Sequence, residues 1–118
     1  MYWEIACVSL KDWKGRIRDI LDAIAEIKSF TNGMDFSTFS ADSKTVKAVE
    51  LDLIIIGEAA NQIPDCIQEQ NPKIPWHLMR AMRNRLVHVY FSVDETLLWD
   101  TIQKDLPALE SVLKSLLN

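Results

Sequence analysis

Arg83, Asn84 and His88 fall within one short run, Arg83-Asn84-Arg85-Leu86-Val87-His88, with Arg80 and Lys73 upstream of it. An imidazole with an ordinary pKa near 6.5 exchanges protons at neutral pH. A guanidinium offers a planar fork of donors that suits two phosphate oxygens better than an ammonium does. Together they permit metal-independent cleavage of RNA. His88 would take the proton of a 2′-hydroxyl or protonate the leaving oxygen, and Arg83 would stabilise the crowded anionic phosphorane. Asn84, four residues before His88 on a helix, can orient its ring, while Arg80, Arg85 and Lys73 are placed to hold backbone phosphates. No metal and no cofactor is required by such a set. The same residue types are also common as plain surface groups, so on their own they leave that reading open.

The element that must carry these groups is a helix starting near Pro75, where proline is tolerated in a first turn, and extending toward Phe91. At about 100° per residue, Leu78, Met79, Met82, Leu86 and Val89 gather on one side as its core face, with Tyr90 at the edge. The opposite arc holds Arg80, Arg83, Asn84, Val87, His88 and Phe91. Cations, an amide and an imidazole mixed with two apolar residues describe a contact surface better than a solvated one. On ideal geometry Arg83 lies about 140° around the helix from His88. One straight helix therefore does not bring the two onto a single phosphate, but a groove between two copies related by a two-fold axis would.

The remaining chain reads as helices as well. Trp13, Ile17, Ile20, Ile24 and Ile27 step by three and four and predict a helix from about Asp12 to Thr31, stopped by Asn32-Gly33. The segment from Gly33 to Ser43 is expected to be a loop anchored by Phe36 and Phe39. A second helix is predicted from about Ser43 to Ile63, with Val46, Val49, Leu53, Ile56, Ala60 and Ile63 on its buried stripe and Pro64 ending it. A short element from Asp65 to Gln70 precedes the Pro72/Pro75 break. Ser92-Val93-Asp94-Glu95 reads as a capping box opening the last helix, whose stripe runs Leu98, Ile102, Leu106, Leu109, Leu113 and Leu116, with a kink expected at Pro107. The fold class predicted is all-α: an antiparallel four-helix bundle plus a short helix, with residues 1–11 as an N-terminal extension and 12–118 as one domain.

Composition narrows the function classes. The 118 residues carry a net charge of −4, so the molecule as a whole is not a polycation that coats nucleic acid. The charge is segregated, however. Residues 70–93 contain no acid and four bases (Lys73, Arg80, Arg83 and Arg85), so the rest of the chain carries −8. Leu53-Ile54-Ile55-Ile56, the longest strongly apolar stretch, is far below the roughly 20 residues a membrane span needs, which excludes a membrane-embedded role. The start has Glu4 and no base before Lys11, the wrong order for a leader. Cys7 and Cys66 lack metal-type spacing and are expected as reduced thiols of a cytoplasmic protein. Glu50, Asp52 and Glu58 share a helix without the Glu-x-x-His pair of di-iron bundles, so no metal is expected there.

With these residues in place the chain resembles HEPN domains. Arg83 to His88 matches their Arg-x-x-x-x-His motif, and Tyr90 completes the Arg-x-x-x-x-His-x-Tyr form of HepT-like toxins. Ile56-Gly57-Glu58-Ala59-Ala60, Trp76, Met82-Arg83-Asn84, Trp99 and Asp105-Leu106-Pro107 are similar to that pattern too, so agreement runs from about Asp12 to Leu117. Ala81 departs from it, standing where glycine is common. The resemblance implies a homodimer through the motif helices and an endoribonuclease toxin of a type VII toxin-antitoxin system, with Arg83 and His88 as the active pair and transfer or messenger RNA as substrate. It also implies an MNT-type nucleotidyltransferase antitoxin that transfers AMP onto Tyr90, whose added charge and bulk would exclude RNA. The rival is a non-catalytic HEPN module that docks a nucleotidyltransferase or a nucleotide.

Overall fold

The computed structural model describes the backbone of residues 12–88 and 94–118, with side chains in the motif helix as far as Arg83. The elements are α1 (Trp13–Thr31), α2 (Phe36–Ala41), α3 (Ser43–Asn61), α4 (Asp65–Gln70), α5 (Trp76–His88), α6 (Glu95–Asp100), a π-helical turn (Thr101–Asp105) and α7 (Leu106–Ser115). The described residues contain no strand. α6, the π turn and α7 follow one another without a break, so α1, α3, α5 and this composite rod are the four long elements, and the all-α prediction holds. None of the described helices is long and apolar enough to cross a membrane.

α3 is the central element, packed most extensively on α1 and α5, while α7 closes against α1. The predicted stripes form most of the observed core, with Trp13 and Leu116 only partly buried at its edge. Ile17, Ile20, Ile24 and Ile27 of α1, and Val49, Leu53 and Ile56 of α3, are buried together with Leu106, Leu109 and Leu113 of α7. Each such side chain contributes roughly 1.5–3 kcal/mol by leaving water. Asp12 caps α1 by accepting from the Gly15 amide at 3.0 Å, and Gly33 ends that turn with φ +78°, a left-handed conformation that glycine adopts without strain. Lys28 of α1 pairs with Glu110 of α7 at 3.0 Å.

Several local expectations need correction. The segment from Gly33 to Ser43 contains a helix, α2, in which Asp35 accepts from the Thr38 amide at 2.8 Å. Phe39 is fully buried and stacks near Trp99 with ring centroids 5.2 Å apart, but Phe36 is exposed, so there is one anchor rather than two. Six residues rich in hydroxyl groups have weak intrinsic helix propensity, and here the cap and the Phe39 contact override it. Asp42 then caps α3 by accepting from the amide and hydroxyl of Thr45. Hydrogen bonds from Thr38 and Thr45 hold the Asp35 and Asp42 carboxyls below the usual range.

The last long element begins at Glu95, capped by Asp94, which accepts from the Thr96 and Leu97 amides; Ser92 of the expected capping box lies outside the described residues. Glu95 instead accepts from the Ser40 hydroxyl of α2. Pro107 is accommodated by the π turn: the Leu106 amide donates to the Thr101 carbonyl, five residues back, and the widened turn places the proline in the first turn of α7, where no amide is needed. Cys66 is disulfide-bonded rather than reduced, and Cys7 lies outside the described residues.

Candidate active site

The crossing of α3 and α5 positions Arg83. A Cβ on Gly57 would fall 2.2 Å from the Arg83 Cβ and 2.9 Å from the Met79 carbonyl oxygen, so the two helices approach as closely as they do only because residue 57 is glycine. The next residue, Glu58, accepts from Arg83 Nε at 2.7 Å. That bond engages the guanidinium through Nε. Arg83 is 35% exposed and Glu58 49%, so the pair adds little to stability; its effect is to orient a cation at the surface. Trp76 begins α5 buried, with its indole N–H donating to the Asn71 carbonyl at 3.0 Å; of the predicted core face Met79 and Met82 are buried and Leu78 half-buried, while the side chains of Leu86 and Val89 lie outside the described residues.

The other sequence-predicted residues are distributed along the same element. Arg80, one turn before Arg83, is half-buried and donates to the Gln68 side chain of α4 at 2.8 Å. Lys73 is exposed in the turn ahead of α5, at the far end of the helix from the motif histidine. The structure therefore does not bring Lys73 to Arg83. The backbone stays helical through Asn84, Arg85 and His88, whose side chains lie outside the described residues, as does all of Tyr90. His77 is exposed.

Residue-type reasoning weighed Glu58 only as a metal carboxylate and did not pair it with Arg83. Its signal was present in the Gly57-Glu58 pair: a glycine in mid-helix implies close approach of another backbone, and the acid beside it must then meet whatever that helix carries.

A cavity of about 300 Å³ adjoins this pair between α1 and α3, and Glu58 forms part of its wall. Asp52, only 3% exposed, lies in it beside Glu26, and burial, reinforced by hydrogen bonding and repulsion from Glu26, pushes the Asp52 carboxyl up to about 7. A carboxyl raised in the folded state binds its proton more tightly there than in the unfolded chain. Its contribution to stability is therefore complete at acid pH and is lost as pH rises toward and through 7. Thermal stability is expected to fall by about 2 kcal/mol between pH 5 and pH 8 from this group, and Asp52→Asn should remove most of that slope. Melting curves of both proteins at the two pH values check it; parallel slopes would contradict the assignment.

The family model described as ribonuclease HepT-like matches residues 20–116. A protein named "Probable ribonuclease HepT" from Thermococcus cleftensis is 42% identical over 103 residues, covering 87% of this chain and 94% of that protein. "Putative RNase MJ0127" from Methanocaldococcus jannaschii is 34% identical over 110 residues, with 90% and 91% of the two chains covered. "Putative RNase TTE0752" from Caldanaerobacter subterraneus subsp. tengcongensis is 38% identical over 85 residues, 72% of this chain and 76% of its own. No solved structure matches the chain. These matches establish that the chain belongs to the ribonuclease HepT-like family.

Proposed function

We propose that this protein is an endoribonuclease toxin that cleaves cellular RNA without a metal ion, acting as a homodimer whose motif helices line a shared groove. The observation that carries the reading is the placement of Arg83: a close crossing at Gly57 and a carboxylate at 2.7 Å aim a guanidinium at the surface on the helix that also bears His88. Such preorganised donors are typically the largest catalytic contribution at a phosphoryl centre. In the reaction the 2′-oxygen attacks phosphorus as the 5′-oxygen leaves. His88 accepts the 2′-hydroxyl proton or supplies one to the departing oxygen, and the two copies in the dimer provide one imidazole for each role. Arg83 neutralises the charge that builds on the phosphorane oxygens. Asn84 orients the imidazole, and Arg80, Arg85 and Lys73 bind flanking phosphates.

The partner is an MNT-type nucleotidyltransferase antitoxin of a type VII system, working in the cytoplasm. AMP transferred to the Tyr90 hydroxyl, two residues beyond His88, would set an anionic phosphate beside the cleavage groove, repelling RNA and blocking it. Expression of the chain alone is expected to arrest growth, and co-expression with its nucleotidyltransferase to relieve the arrest. Intact mass of the co-expressed protein should then show added AMP that Tyr90→Phe abolishes. Relief of arrest with no mass change would contradict modification as the means of neutralisation.

A further inference from the structure

The cavity beside Glu58 contains two buried polar atoms without a hydrogen-bond partner. They are Asp52 Oδ2 and Arg16 Nε, the one an oxygen open to a donor and the other an N–H open to an acceptor. The rest of the Arg16 guanidinium is engaged, with Asp19 at 3.0 Å and Gln62 at 3.5 Å. Buried groups left in this condition are costly unless something that visits the site satisfies them. A metal ion or an ammonium would answer only the carboxylates, and among the described residues no three His, Cys, Asp or Glu side chains are grouped as a metal site needs. The guest implied by one open donor among several acceptors presents an acceptor beside two donors. Water has that pattern, and on one rigid edge so does guanine, with O6 next to N1–H and the 2-amino group, whereas adenine, cytosine and uracil each lack a second donor beside the first on their pairing edges.

The surroundings fit a flat base. Ala23, Ile55 and Ala59 supply apolar wall, and Asp22 and Glu26 add exposed carboxylates at the mouth. Glu58 joins this cavity to the catalytic surface, because the side chain that forms part of its wall also holds Arg83. Single-stranded RNA is commonly read by splayed bases hydrogen-bonded along their edges.

We infer that the cavity between α1 and α3 is a base-binding subsite, in which Asp52, with Glu26 and Asp22, accepts from N1–H and the 2-amino group of an unpaired guanine while Arg16 donates to O6. The inference rests on the ribonuclease reading and adds a sequence preference to it: cleavage next to guanosine.

The test uses short single-stranded RNAs identical except for guanosine or inosine at one position, because inosine lacks only the 2-amino group. Wild-type protein is expected to cleave beside guanosine at least about tenfold faster than beside inosine. In Asp52→Asn, and separately in Asp22→Asn at the exposed mouth, that ratio should fall toward one. The ratio is read within each protein, so a general loss of activity does not imitate the effect. Cleavage by wild type with equal rates on the two RNAs, or an unchanged ratio in both variants, overturns the subsite and leaves the ribonuclease reading intact. Absence of cleavage of any RNA overturns both.

Discussion

Arg83→Lys is expected to lower the rate of RNA cleavage at least about a hundredfold, and Arg83→Ala further, with helical content and melting behaviour close to wild type. Lysine keeps the charge but lacks the planar fork, and it has no Nε through which Glu58 could hold it in register. The fold should survive because the pair is a surface one, 35% and 49% exposed on its two sides, and such pairs contribute little to stability. Single-turnover cleavage beside circular dichroism separates the two effects. A lysine variant cleaving within a few-fold of wild type would mean that charge alone suffices and that the geometry around Glu58 is incidental.

The second large effect is expected at Gly57. Alanine there would place a methyl group 2.2 Å from the Arg83 Cβ and 2.9 Å from a backbone oxygen of the facing helix, and neither is the loose end of a flexible chain. α3 and α5 must separate, at a cost of about 2–3 kcal/mol, or roughly 10 °C in melting temperature for a domain of this size. Cleavage should fall with it, since the displaced helix carries Arg83. Gly15→Ala is the control: its Cβ would meet only the Asp12 side chain, so the disturbance is confined to the cap of α1. Denaturant titration of the two variants compares them, and equal, small losses would show that the crossing yields more readily than its packing implies.

The features legible in the sequence were those set by periodicity and by side chains acting alone. Apolar steps of three and four placed α1, α3 and the rod ending in α7 within a residue or two, because burial of a stripe is what stabilises each of them. Arg83 and the helix that bears it were likewise evident from spacing. Features that depend on a second segment were not. α2 forms because Asp35 caps it and Phe39 finds Trp99, sixty residues further on. The π turn before Pro107 is one of several ways a helix can absorb a proline, and hydropathy does not choose among them. Glu58 and Asp52 appeared only as acids on a helix. Their different fates, one exposed against a guanidinium and the other 3% exposed against a second carboxyl, follow from which neighbour each meets.

The central claim is that Arg83 and His88 cleave RNA. It is tested most directly by incubating the purified protein, shown by mass to carry no AMP, with total cellular RNA in EDTA beside Arg83→Ala and His88→Ala proteins. Discrete cleavage products from wild type and none from either variant are predicted. Intact RNA in every lane, or the same products from the His88→Ala protein, would contradict the claim.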